Sequence, residues 1–394
     1  MIHKKVLTLL AVSLIAVMVC GQTLRVNALP SYLTAINATA TRLDALQSST
    51  DFGWDWIVTG LTAHTGTASA NNLYGVTALD LIHAYQTTGN SVYLATAKSV
   101  ANYIAQGNPS TGAFLTNYGY SFDYEFLMEF AAASGISSYS TYAEASWTWQ
   151  KANYPLGGPY RYMDGNQNLL WAHYFAVESE PGYAAWETAD WGLAALQMGD
   201  TSWANNMASV IHSNIGALTT ETITGNSGNN YPVIGMGEVL KFFEASPTLS
   251  ATYASDITTL KARLIALQNP DGSWNQGDPA AEDAQSTAYA VMGLVAAHVS
   301  TSALNGANWL LSHQLSNGGW LETDSNEYSE VDSEAMSALI ADSSVSVGGV
   351  WAPITMQAIA PVNGFEMLAP WIALAFLAVA SVFAASRRLL RKHW

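Results

Sequence analysis

The chain has 394 residues, enough for one large domain or two smaller ones, and 49% of them are hydrophobic, ample for a core. Only 11% are charged; seven of the 14 basic residues lie at the two ends, so residues 29–386 hold all 30 acidic groups against seven basic ones, a net −23. That balance argues against nucleic acid as a partner and against unaided capture of a polyanion, and the single cysteine, Cys20, leaves the rest of the chain without disulfides or cysteine-bound metals.

The chain opens on Lys4-Lys5, an apolar run from Val6 to Val19 and the small-residue site Val26-Asn27-Ala28. This predicts a secretory signal over 1–28 and export of the chain beyond it. Residues 29–344 then predict one ectodomain in which helical periods alternate with Gly, Asn and Pro turns. Six segments read as outer helices, at about 32–47, 91–106, 139–152, 201–217, 251–268 and 301–314. Six read as inner helices, at about 72–88, 121–134, 183–198, 231–245, 282–298 and 330–342, with an extra helical stretch near 168–179. The inner set is rich in Ala and Gly, as in Thr287-Ala288-Tyr289-Ala290-Val291-Met292-Gly293-Leu294, so that helices can approach closely around a ring. Asn37-Ala38-Thr39 is a glycosylation sequon, consistent with export. Residues 345–367 read as a tether. Leu368 to Ser386 is an uncharged apolar run just long enough to span a bilayer, and Arg387-Arg388-Leu389-Leu390-Arg391-Lys392 would keep the tail, 387–394, cytoplasmic. The expectation is a cell-surface protein with its ectodomain outside and one helix in the lipid bilayer, an arrangement that resembles the C-terminal anchors of archaeal surface proteins.

One stretch recurs. Leu264-Ile265-Ala266-Leu267-Gln268-Asn269-Pro270-Asp271-Gly272-Ser273-Trp274 returns as Leu310-Leu311-Ser312-His313-Gln314-Leu315-Ser316-Asn317-Gly318-Gly319-Trp320. A looser copy runs from Leu43 through Gln47 to Trp54. Repetition at this spacing indicates stacked helical units, none able to bury its apolar face alone. A Leu-rich helix followed by Gln-x5-Trp with Gly in the turn resembles the QW repeat of squalene-hopene cyclases. It is also similar to repeats of prenyltransferase β subunits, thioester-domain toroids and some pectate lyases. The segment Ala78-Leu79-Asp80-Leu81-Ile82-His83-Ala84-Tyr85, followed by Thr88-Gly89-Asn90, is more similar to six-hairpin glycosidases and epimerases. All of these imply an all-α fold, an (α/α)6 toroid of inner and outer helices. The fold hosts several chemistries, so the reaction has to come from the site.

In such toroids the chemistry comes from the starts of the inner helices. Acids concentrate there: Asp123 and Glu125, Glu187 and Asp190, Glu282 and Asp283, and Glu330, Asp332 and Glu334. Acids in a first helical turn also stabilise its free N–H groups. For glycan hydrolysis two carboxyls are needed, and Asp123 with Glu187 or Asp190 is the preferred pair. Tyr120, Tyr160, Tyr162, Trp171, Trp186 and Trp191, with Arg161, are candidate substrate contacts, because sugars lay their C–H faces on aromatic rings. Tyr160-Arg161-Tyr162, Asn168 and His173-Tyr174 offer the Asn, His, Tyr and Arg set of toroid polysaccharide lyases, with His173 and Tyr174 as catalytic candidates. With the domain at −23, a polyuronate substrate would call for Ca²⁺; otherwise no cofactor is expected. Glu330-Val331-Asp332-Ser333 resembles the Asp-x-Asp-Asp motif of squalene-hopene cyclases, which implies Asp332 as a proton donor to an alkene, with Glu330 and Ser333 replacing the flanking acids. The leading expectation is a carbohydrate-active enzyme, a glycosidase or a lyase, on extracellular or envelope glycans. A non-catalytic surface binding module and a terpenoid cyclase are the alternatives.

Overall fold

Two kinds of helix alternate along the chain, and burial tells them apart. The helix Ser91–Ile104 buries one stripe, Tyr93, Thr96, Ala97, Val100, Ala101 and Ile104, as expected of a helix with one face on a core. The helix Ala284–Ala296 is buried continuously from Ala284 to Val295, as expected of one enclosed on all sides. The computed structural model describes residues 29–66, 68–107, 119–153, 171–172, 175, 179–221, 231–276 and 281–348. The chain divides into two compact units, Met1–Met356 and Gln357–Trp394, and every described residue belongs to the first. The expected signal, most of the tether, the apolar run 368–386 and the basic tail lie outside the described residues. Among the described residues no helix is long and apolar enough to cross a membrane.

In chain order the helices are α1 (Leu29–Leu46), α2 (Leu73–Thr88), α3 (Ser91–Ile104), α4 (Ser121–Ser134) and α5 (Ser138–Asn153). Then come α6 (Pro181–Gln197), α7 (Thr201–Thr220), α8 (Pro232–Glu244), the single-turn-and-a-half α9 (Pro247–Thr252) and α10 (Ala254–Leu267). A short antiparallel hairpin, β1 (Trp274–Gln276) with β2 (Ala281–Asp283), leads into α11 (Ala284–Ala296), α12 (Ser300–His313) and α13 (Ser329–Gly348). Contacts run α2 to α4, α4 to α6, α6 to α8, α8 to α11, α11 to α13 and α13 back to α2. Six inner helices therefore close a ring. The outer helices α1, α3, α5, α7, α10 and α12 each pack on the inner helices beside them. The six outer and six inner segments expected from the sequence are these twelve helices.

The inner ring is tight because small residues let backbones touch. A Cβ on Gly237 would lie 2.3 Å from the Tyr289 carbonyl, and one on Gly293 would lie 2.5 Å from the Gly237 carbonyl. Even alanine at either position would force α8 and α11 apart.

The repeated stretch supplies the joints. The indole N–H groups of Trp54, Trp274 and Trp320 donate to the carbonyls of Leu43, Leu264 and Leu310, each at 2.8 Å. Each thus satisfies a carbonyl near the end of the preceding outer helix that has no helical partner. The glutamines bridge. Gln268 donates to Gly272 O in its own turn and to Ser302 O on the next outer helix, α12, both at 2.9 Å. Gln47 does the same with Phe52 O and Thr96 O on α3. Gln314 donates to Gly318 O and to Ala35 O, both at 3.1 Å. Ala35 belongs to α1, so the last repeat is joined to the first helix of the ring. Arg42 of α1 reinforces this seam, with Nε 2.7 Å from Glu327 Oε1 and Nη1 2.6 Å from Leu61 O.

Candidate active site at the mouth of the toroid

Because inner helices are separated by outer ones, all six run the same way, and their N-terminal ends share one face of the ring. Each carries a short polar stripe toward the centre: Asp80 and His83 on α2, Glu125 and Glu129 on α4, Glu187 and Asp190 on α6. Glu238 and Lys241 on α8, Gln285 and Tyr289 on α11, and Glu330 and Glu334 on α13 complete it. The spacings are i,i+3 or i,i+4, which keep each pair on one face. These groups act on one another across the ring: Glu125 is influenced by Lys241, Glu238, Glu129 and His83, and Tyr289 by Glu334, Asp190, Glu238 and Glu330. Among the described residues, the carboxyls lining the lumen thus outnumber the cations.

Glu187 and Glu330, nearest the N-terminal face, are half-buried. One turn deeper, Asp190 and Glu334 are buried. Burial, with Glu187 across the ring, raises the Glu330 carboxyl to about 8, so it carries its proton at neutral pH. Glu334 is pushed well up by burial and by Glu330, and it is fixed by Tyr289 Oη donating to Oε1 at 2.7 Å and Gln285 Nε2 donating to Oε2 at 2.9 Å. Trp186 Nε1 donates to Tyr289 Oη at 3.1 Å and its ring lies 5.5 Å from both Tyr231 and Tyr289. Tyr183 packs against Trp186 at 6.1 Å, so an aromatic wall flanks Glu187.

Deeper lies a charge cluster in which Glu238 is buried and Lys241 keeps 26% of its side chain exposed. Lys241 Nζ donates to both oxygens of Glu238 at 2.8 Å. Burial would lower the Lys241 ammonium, but Glu238, Asp190 and Glu125 outweigh it and hold it charged. Asp190 is raised well above the carboxylate range by burial, then by Glu238 and Glu187. Its Oδ1 is buried and meets no hydrogen-bond donor. Toward the far face His83 contacts Glu129 at 3.0 Å and Asp80 at 3.4 Å. Burial opposes its charge, but these acids raise it to about 10.

The expected site residues fall in several places. Glu187 and Asp190 share the lumen face of α6. Asp123 sits at the third position of α4 and closes a capping box, accepting the Tyr120 backbone N–H at 3.0 Å. Burial, partly offset by the Tyr120 and Gly75 N–H groups, raises it to about 7. The structure therefore brings Glu187 to Glu330 and Asp190, where sequence reasoning paired it with Asp123. Asp332 lies behind the lumen wall: its Oδ1 accepts the Trp320 N–H at 2.7 Å, and Glu327 and Arg42 are its charged neighbours. Trp186 faces the lumen. Trp191 packs instead with Tyr124 and Trp147 between α6, α4 and α5, and Trp171 is buried in the core. Tyr120 is exposed at the start of α4. Tyr160, Arg161, Tyr162, Asn168, His173 and Tyr174 lie outside the described residues.

Sequence reasoning passed over Glu238, Lys241 and Tyr289. The first two had a signal: an i,i+3 charge pair in the middle of Pro232–Glu244, whose other residues before the terminal Glu244 are apolar, is what a buried inner helix shows when one face lines a polar lumen. Beside the mouth lies a cleft of about 790 Å³ lined by Asn269, Asp271, Asn275, Glu282 and Glu322 among others. Gln285 joins it to the lumen, its backbone N–H on Glu322 Oε1 at 3.2 Å.

No protein-family model matches the chain. A stretch of 71 residues is 37% identical to protostadienol synthase A of Arthroderma gypseum, covering 15% of this chain, so the chain spans about a tenth (10%) of that curated relative. Among solved structures, a sugar epimerase from a ruminal bacterium superposes with a TM-score of 0.55 at 13% identity, over 81% of this chain and 99% of that one. A possible member of the GH105 family from Klebsiella pneumoniae gives 0.54 at 13% identity, over 80% and 94%. A type II terpene cyclase variant from Scytonema, in complex with geranylgeranyl dihydroxybenzoate, gives 0.53 at 15% identity, over 80% and 98%. At such identities the likeness speaks for architecture and leaves the reaction open. Together with the closed inner ring, it makes residues 29–348 an α/α toroid.

Proposed function

We propose that the toroid is a glycan-hydrolysing enzyme with Glu330 as general acid and Glu187 as its partner carboxylate. The carrying observation is the pair itself: two half-buried carboxyls on helices third and sixth around the ring, so facing across it, with one raised to about 8 by burial and by the other. A glycosidase needs one carboxyl that keeps its proton near neutral pH and one that does not, on opposite sides of the bond. Helices packed roughly 8–10 Å apart in a ring of six put opposite axes roughly 16–20 Å apart. Two glutamates reaching inward from such walls leave room for a sugar and a water, the arrangement of inverting enzymes, whose carboxyls stand roughly 6.5–9.5 Å apart.

The mouth also suits sugar better than a polyene. Tyr183 and Tyr231, half-buried over the buried Trp186, offer ring faces beside carboxyls that bond hydroxyls, whereas a cation cascade needs an apolar aromatic cavity around its acid. Asp332, the cyclase candidate, is engaged by the Trp320 N–H outside the lumen. With residues 29–386 at a net −23, a uronate is disfavoured, so the substrate we propose is a neutral glycan, and no Ca²⁺ is required. We further propose that the enzyme works outside the cell, exported by 1–28 and held by 368–386, on the strength of those two sequence segments. The test of the reaction is release of reducing ends from neutral oligosaccharides, with the anomer of the new end read by NMR. Inverted product lost in Glu330→Gln supports the proposal; retained configuration refutes the geometry, and unchanged turnover in Glu330→Gln refutes the acid.

A further inference from the structure

We propose that Trp56 and Tyr328 form an aromatic platform at the rim of the mouth that stacks a second sugar ring, next to the one held between Glu187 and Glu330. This rests on the hydrolase proposal above and extends it to a substrate of at least two sugar units.

Trp56 is 42% exposed, on the loop leading into α2. It meets Tyr328 edge to face, ring centres 6.3 Å apart and planes at 82°. The loop is not free to move away. The Trp56 carbonyl accepts the Ser329 N–H at 3.2 Å, the Asp55 carbonyl accepts the Ser329 hydroxyl at 2.6 Å, and Val58 N–H donates to Glu327 O at 2.8 Å. Ile57 pairs with Tyr328 in an isolated bridge. Tyr328 is pinned at its other end, its hydroxyl donating to Asp324 Oδ2 at 2.6 Å. Tyr328 also stands two residues before Glu330, on the chain that enters α13. Platform and acid therefore ride on one stitched unit.

A rigid loop that keeps an indole in water, with a tyrosine across from it, is an exposed apolar surface with a use. The surroundings select the occupant. Asp55 and Asp324 carry the nearby charge; Glu322 is pushed toward its protonated form by burial and by Asp283, and Glu327 is neutralised by Arg42 at this seam. An anionic lipid surface or an acidic polymer is repelled there. A neutral sugar has the two properties required, an apolar C–H face for the rings and hydroxyls for the carboxylates.

The test uses the full-length chain carrying Glu330→Gln, so that bound substrate is not turned over. Binding of cello-, xylo-, manno-, malto- and chito-oligosaccharides is measured by calorimetry against the matching monosaccharides. The expected result is tighter binding of the disaccharide or longer chain, reduced about tenfold when Trp56→Ala is added and largely retained with Trp56→Phe. Equal affinity for monosaccharide and oligosaccharide, or unchanged oligosaccharide affinity in Trp56→Ala, overturns the platform. None of these bears on whether the chain with Glu330 intact hydrolyses glycans, which is read separately from reducing-end release.

Discussion

Glu330 and Glu187 stand where the lumen opens, and burial of a few ångströms decides what they can do. A carboxyl at about 8 donates a proton only below that pH, so hydrolysis should decline as pH rises through about 8. Glu330→Gln should lower kcat/KM by about 10²–10⁴, the usual contribution of a positioned acid. Because Glu187 is one cause of the shift, Glu187→Gln should bring the Glu330 titration down, which carbon-detected NMR of labelled glutamate would show. Of this site the sequence carried the residue types and their clustering at inner-helix starts. It did not carry the pairing. Asp123 and Glu187 look equivalent in one dimension, yet one caps its own helix and the other faces the ring centre, a difference set by rotation about the helix axis.

At the level of elements the repeated stretch is a joint rather than a site. Its Trp caps the outer helix behind and its Gln ties the turn to the outer helix ahead. Trp320→Phe keeps the ring but loses the indole hydrogen bond to Leu310, and should cost about 1 kcal/mol in urea denaturation, more if the carbonyl is left buried and bare. Gln314→Ala should act similarly and mainly loosen α1. The twelve helices were legible because inner and outer segments differ in composition, and because turns marked by Gly, Asn and Pro separate them. Closure was not legible. That Gln314 reaches Ala35, 279 positions away in sequence, emerges only once six pairs have turned a full circle.

The described helices close a ring with an acid-rich interior, and its stability should report that. Glu330, Asp123, Asp190, Glu125 and Glu334 all have folded-state values raised above their unfolded ones by burial first. Each contributes stability that is complete below about pH 4 and is lost as pH rises through its folded value. For Asp123 and Glu330 those values are about 7 and about 8. Groups held low, such as Asp51 at about 2, work the other way and lose their contribution only in strong acid. Tm should therefore be highest in mild acid and fall between about pH 5 and 9. A Tm that rises across that window contradicts the buried, protonated interior. The seam makes a second demand. Arg42 and Glu327 are nearly buried, with 9% and 2% of their side chains exposed, so Arg42→Met leaves a carboxylate without its partner and should destabilise the chain by about 3–5 kcal/mol.

The most direct measurement is reducing-end release from neutral oligosaccharides by the full-length chain, tracked from about pH 4 to 9 with and without EDTA, beside the Glu330→Gln variant. The account predicts turnover that is insensitive to EDTA, declines through about pH 8, and drops by about 10²–10⁴ in the variant. Turnover that is equal in the variant, or no turnover of any neutral glycan across that range, contradicts it.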